Sequence, residues 1–419
     1  MIALSVYLTD AVGRLQSLYP IFKMVKPTMV CGIAAILLYL INQKGPRRIQ
    51  NLRGRPVTCV WLLLVWSVLS IPFALNPASA LFFTTGSFVK TVLLYLLLVG
   101  SVRSLKDVER LALVYFGSAV LYASIVLLRF DVSEDNWRLA GLYTYDANDF
   151  AVLAITAVPL GLYFLAARSK PLIKYGSFLG ILALAAGFIR SGSRGGFLSA
   201  IAVGIYVLAG HSTIKVRWRL LGLAAITTIF IATASDRYWT QMSTILSSQG
   251  DYNRTANTGR IQIWKRGMGY MLGHPITGVG IANYGVAEGT ISPLAELQQF
   301  GIGVPWTTAH NSFVQVGAEL GIPGLIFFVV LIGSTFTMLW RTARVEGPLA
   351  QALTGSLIGF TVGGYFLSLA YTDMCYVLLG LAAALAKVVR LHHGAVATPS
   401  PRVMRVRGRR GRGGLPVNA

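Results

Sequence analysis

Strongly apolar stretches follow one another along most of this 419-residue chain, separated by short polar loops. They lie near 22–43, 57–75, 82–101, 108–129, 148–168, 173–190, 195–210, 217–234, 312–340, 349–369 and 372–391. A hydrocarbon core of roughly 30 Å takes about 20 apolar residues per helix. Within lipid, backbone polar groups are satisfied only inside helices or closed barrels. The pattern therefore predicts an all-α polytopic membrane protein, a bundle of eleven or twelve transmembrane helices. Segment 1–20 is either a weak first span or a helix lying at the interface, since Asp10 and Arg14 interrupt it. The same interruptions speak against a cleavable leader.

One connection is far longer than the rest: residues 235–309. Inside it, TGRIQIWKRGMGYML reads as an amphipathic helix, with Arg260, Trp264 and Met268 each one turn apart. Such a helix would lie in the membrane interface with Trp264 as its anchor. The long loop is thus expected to carry short helices of its own, and any chemistry is expected there.

Composition sharpens this picture. Only 12% of residues are charged and 54% are hydrophobic, where a soluble domain carries about 25% charge. The net charge of +22 raises nucleic acid as a partner, but its distribution argues otherwise. Basic residues fall into alternate loops, 42–56, 102–107, 168–174, 211–219 and 341–348, and into the tail. The positive-inside rule makes that side cytoplasmic. Loop 235–309 is then extracytoplasmic, with acidic loop 130–147 on the same side. Residues 1–393 read as a single transmembrane domain and 394–419 as a basic, disordered cytoplasmic tail. The tail interleaves no aromatic residues among its arginines, which favours an anchor on anionic lipid over an RNA-binding arm. Cys31, Cys59 and Cys375 sit in or beside apolar segments with no ligand spacing, and read as small hydrophobes.

Three outward places carry polar groups that are costly near lipid. Arg190 and Arg194 in FIRSGSRGGF stand one helical turn apart beside glycines. They either snorkel to headgroups or form a phosphate clamp, for which the guanidinium fork is suited. Arg260 opens the loop helix and either faces solvent or reaches the membrane surface. His274 precedes Pro275 at a turn and reads as structural. His310 and Asn311 head the span 312–340 in AHNSFVQVGAELGIPG. There His310 is either a polar cap or a general base suited to neutral pH. Gly317 and Gly321 lie on nearly its helical face, whereas Glu319 points away and suits a hydrogen-bonding role. Asp131, Glu134 and Asp135 read as a solvated loop more readily than as a divalent-ion site. No P-loop, HExxH or GxSxG motif is present.

SRGG after one span, GR-x3-W and HP-x-x-G-x-G in a long outer loop, and AHN-x-F…E-x-G-x-x-G at the next span together resemble the O-antigen ligase/polymerase superfamily. The resemblance covers about residues 140–325. It implies about twelve helices in a bacterial inner membrane, with a periplasmic site. It also implies metal-independent, cofactor-free, inverting transfer of a glycan from undecaprenyl pyrophosphate to an acceptor hydroxyl, on a lipid A core or a similar glycan. By resemblance, His310, Arg194 and Arg260 are catalytic and Asn148 shapes the substrate cavity; Arg190, Arg266, Asn311 and Trp264 are read as further substrate-binding residues beside them. A polymerase and a protein O-oligosaccharyltransferase share the pattern, and the loop motifs look closest to the ligase branch. A lipid-linked sugar flippase would need charges through the bundle interior. Here they crowd at the outer end, with Lys90 the main mid-span charge.

Overall fold

The computed structural model describes residues 1–130, 139, 145–167, 170–210, 215–245, 253, 256–299 and 307–397. Asp131, Glu134 and Asp135 lie outside the described residues, as does nearly all of the basic tail.

Every regular element among the described residues is a helix. Besides short helical turns such as Leu15–Leu18 and Pro20–Val25, the helices in chain order are α1 (Ile2–Gly13), α2 (Pro27–Ile41), α3 (Arg55–Ser70), α4 (Pro77–Ser101), α5 (Leu105–Arg129), α6 (Ala147–Ala166) and α7 (Pro171–Ser191). There follow α8 (Arg194–Gly210), α9 (Val216–Thr233), α10 (Asp236–Ser243), α11 (Arg260–Gly273), α12 (Tyr284–Thr290), α13 (Ala295–Gln299), α14 (Ser312–Ala343), α15 (Gly347–Gly364) and α16 (Asp373–Ala397). Seven of these are long and apolar enough to cross a membrane. The predicted all-α polytopic architecture is what the chain adopts.

The bundle has two chemically distinct ends. At one, the buried Lys387 ammonium of α16 donates to the carbonyls of Pro46, Gly100 and Val102 at 3.2, 3.2 and 2.8 Å. These are backbone acceptors at a helix end that water does not reach. At the other end stand the N-termini of α6, α8, α14 and α16, with His310 just before α14. The element left open by the pattern, residues 1–20, runs between the two. The Met1 amino group lies within electrostatic reach of Arg47 and Arg103. Thirteen residues on, Arg14 pairs with Asp373 at 3.3 Å. Leu4, Leu8 and Val12 are buried in the bundle core, so α1 packs one face into the bundle. Its interrupting polar groups are absorbed locally: the Asp10 carboxylate accepts from the Gln16 backbone N–H at 2.6 Å and from the Thr28 hydroxyl.

The long loop carries its own small core at the His310 end. Ile263, Tyr270, Val279, Tyr284, Ala287, Ala309 and Ala318 bury one another, with Leu75, Trp264 and Val314 at the margin. The helices of the loop are therefore fastened to α14 and do not float on the membrane.

Candidate functional site

The segment after α11, HPITGVG, docks on α14 through backbone hydrogen bonds. The Val279 and Gly280 N–H groups donate to the carbonyls of Ala318 and Glu319 at 2.8 and 3.0 Å, and Ile322 N–H donates to the Pro275 carbonyl at 2.8 Å. This pairing requires α14 to open, which it does at Gly321, with φ +68° and ψ −168°. Pro323 follows and lacks the N–H to close the turn. The Leu320 carbonyl released there accepts from the Trp66 indole at 2.9 Å. A Cβ on Gly278 would lie 2.4 Å from the Glu319 carbonyl carbon, and one on Gly321 would lie 2.5 Å from the Ile276 oxygen. The two glycine motifs are thus two halves of one joint. Glu319 is buried in it and accepts from the Tyr284 N–H at 3.2 Å, the hydrogen-bonding role expected of it. Gly317 faces Met271, and Gly321 is the hinge itself.

That joint sets where α11 lies. Ile263, Gly267 and Tyr270 form its buried face against α14, while Met268 is exposed. Trp264 therefore corrects the expectation of a lipid anchor. Its indole N–H donates to the His310 carbonyl at 3.3 Å, and its ring meets Tyr365 and Phe366 at 5.3 and 6.3 Å. Arg266 also departs from a ligand-binding role. Its Nε and Nη2 grip the fully buried Glu288 carboxylate at 2.7–3.0 Å, and Nη1 donates to the Asn257 carbonyl at 2.9 Å. Tyr270 donates to the same carboxylate at 2.8 Å. Burial alone would lower the Arg266 pKa, but the Glu288 bonds hold it above its ordinary value. This charge braces the loop. Tyr270, Glu288 and the aromatic pair Tyr365–Phe366 have no local sequence signal; only their three-dimensional partners reveal them.

His310 occupies the left-handed region at φ +46°, uncommon for a residue with a Cβ. Asn311 follows as the cap of α14, its side-chain oxygen accepting from Phe313 and Val314 N–H at 2.9 and 3.1 Å. Half-buried His310 has its pKa lowered, first by burial and then by the Arg260 charge, against a smaller upward pull from Asp146. Those two charges reach it from α11 and from the cap of α6. There the Asp146 carboxylate accepts from the N–H groups of Asn148 and Asp149, both at 2.7 Å.

Arg194 arrives from a fourth direction. Ser193 caps α8, its hydroxyl accepting from Gly196 N–H at 3.1 Å, so Arg194 opens that helix. Gly195 brings this corner hard against Phe366: a Cβ there would sit 2.9 Å from the Phe366 Cβ. Through Phe366 and Trp264 the Arg194 corner is packed to the His310 corner. The Arg194 guanidinium donates to the Thr244 hydroxyl at 2.7 Å, and Gln241 donates to the Gly192 carbonyl at 3.4 Å, so α10 folds back over it. Arg190 stands exposed at the end of α7, its carbonyl accepting from Leu139 N–H at 3.0 Å.

The structure thus bonds Trp264 to His310, sets Asn311 next to it, brings Arg260 and Asp146 within its electrostatic reach, packs the Arg194 corner to it through Phe366 and turns Arg266 away. The N–H groups at a helix start favour an anion, and Arg194 and Arg260 each stand at one.

Residues 179–329 match the family model of the O-antigen ligase. This match supports the O-antigen ligase superfamily expected from the motifs. It takes in Arg190, Arg194, Arg260, Trp264, Arg266, His310 and Asn311 and leaves Asn148 outside. The matched segment thus takes in the second half of α7, all of α8, the long loop and the hinged first half of α14. No curated protein matches the chain.

Proposed function

We propose that the chain transfers a glycan from a polyprenyl pyrophosphate, undecaprenyl pyrophosphate in a bacterial inner membrane, to a hydroxyl of a lipid A core or similar acceptor. His310 is the general base. The acceptor oxygen bonds to the sugar C1 as its proton moves to the imidazole. The C1–O bond to phosphate breaks on the opposite face, inverting the anomeric centre, and its electron pair leaves with the pyrophosphate. Negative charge grows on that leaving group, so fixed guanidinium groups at Arg260 and Arg194 favour the transition state over the ground state. The N-terminal ends of α8, α11 and α14 add their dipoles in the same sense. No step requires a metal.

The observation that carries this reading is that Arg260 lies within electrostatic reach of His310, beside the packed chain Trp264–Phe366–Gly195. It supports a base held neutral next to an anion site, which a passive escort of lipid would not need. The positive-inside distribution supports placing this end in the periplasm and the Lys387 end in the cytoplasm. The test is reconstitution with an undecaprenyl-pyrophosphate-linked glycan and two acceptors, a lipid A core and a second carrier-linked unit, with and without EDTA. Transfer to the lipid A core that survives EDTA is expected. Transfer only to the second carrier-linked unit makes the chain a polymerase. Transfer to neither refutes the reading.

A further inference from the structure

Tyr365 follows directly on α15, its N–H shared between the Thr361 and Val362 carbonyls at 3.2 Å each. Tyr145, Tyr284 and Tyr371, also at the His310 end, are buried, whereas Tyr365 is 47% exposed. Its ring meets Trp264 at 5.3 Å with planes at 72°, and Phe366 at 5.4 Å with planes at 82°. Both contacts are edge-on, so neither neighbour is stacked flat on the tyrosine. Trp264 is the residue bonded to the His310 carbonyl, and Phe366 is the residue against Gly195 beside Arg194. Tyr365 therefore stands between the two halves of the proposed site, with about half of its surface exposed.

We propose that Tyr365 is an aromatic platform for a sugar ring of the glycan at the transfer point. The inference rests on the function proposed above and adds a residue to it. A pyranose presents a face of polarised C–H groups, which complements the negative face of an aromatic ring. Ligand sites commonly combine such an apolar wall with a few polar groups that fix orientation. Here the arginines hold the phosphate end and Tyr365 holds the adjoining sugar. A ring serving only as an interfacial anchor would point to lipid. This one is built onto the aromatic pair that joins His310 to Arg194.

The experiment compares full-length wild type, Tyr365→Phe, Tyr365→Trp and Tyr365→Leu in detergent. The probe is oligosaccharide released by mild acid from the polyprenyl-linked pool of the source cells, and binding is read by calorimetry. Transfer from the intact lipid-linked donor and the unfolding midpoint are read in parallel. Tyr365→Leu is expected to weaken oligosaccharide binding at least fivefold and to raise KM for donor more than it lowers kcat. Phe and Trp variants should stay within threefold of wild type. Equal binding by the Leu variant overturns the platform, as does a loss that follows side-chain volume and lowered midpoint instead of aromaticity. Wild type that binds oligosaccharide in a Tyr365-dependent way yet transfers none overturns the proposed function and leaves the platform standing.

Discussion

The indole N–H of Trp264 donates to the carbonyl of His310 at 3.3 Å, across 46 residues of sequence. That carbonyl belongs to a residue held at φ +46°, so the bond helps to maintain a conformation that costs about 1 kcal/mol or more by itself. Replacing Trp264 by Phe keeps an aromatic ring beside Tyr365 and Phe366 and deletes only the donor. A hydrogen bond of this kind contributes about 1 kcal/mol. Transfer by Trp264→Phe should therefore fall roughly five- to tenfold in kcat with KM nearly unchanged. A raised KM with normal kcat would return Trp264 to direct substrate contact.

The pH profile follows from the environment of His310. Burial and the Arg260 charge lower its pKa from the ordinary 6.5, while Asp146 pulls it upward. A base works when neutral, so activity should hold at pH 7 and fall on the acid side below 6.5. Arg260→Gln removes a lowering influence and should move the acid limb to higher pH, beyond its direct loss of rate. Asp146→Asn should move the limb to lower pH. For stability the sign is the same: a ring whose folded pKa is depressed contributes above its unfolded pKa and loses that contribution as pH falls through it. Limbs that stay in place in both variants would remove His310 from the titration.

The hinge is tested by adding a methyl group. Gly278→Ala and Gly321→Ala each combine positive φ with a Cβ placed within 2.4–2.5 Å of backbone atoms, so each should cost about 2–4 kcal/mol. Gly45 also has positive φ, at +54°, but nothing lies within 4 Å of its added Cβ. Gly45→Ala should cost only about 1–2 kcal/mol. Thermal unfolding in detergent reads the difference, and equal shifts at all three positions would show that the joint is not tightly docked.

Arg266 and Glu288 form a buried pair, so removing one partner strands the other. Arg266→Met or Glu288→Leu alone should destabilise by about 3–5 kcal/mol, whereas the double change Arg266→Met with Glu288→Leu should cost much less. Chemical denaturation of the four species closes the cycle. Additive effects would mean that the pair does not couple.

The apolar spans were legible in the residue pattern almost to their ends, because lipid imposes one length and one kind of secondary structure. Helix α1 was not, since its twelve residues are too few for a hydropathy signal and its polar groups Asp10 and Arg14 find their partners only in the fold. At the site, the short motifs marked His310, Arg194 and Arg260, but they could not show what the glycines were for. The Gly278 and Gly321 motifs fit together only because one helix opens to receive a loop 40 residues away, which no local period encodes. Amphipathicity found helix α11 yet misjudged its inward face, because an indole packed on Tyr365 and Phe366 reads the same as one facing lipid. The acid partner of Arg266 lies 22 residues downstream in another helix, so its charge looked available for substrate.

The central claim is that an imidazole works beside fixed guanidinium groups at one end of the bundle. Its most direct test is single-turnover transfer by His310→Ala in proteoliposomes loaded with undecaprenyl-pyrophosphate-linked glycan, with retention of the labelled donor measured on the same samples. The account predicts donor retention within threefold of wild type and transfer reduced by at least a factor of about a thousand, within the range expected for loss of a general base. Transfer near the wild-type rate would contradict it.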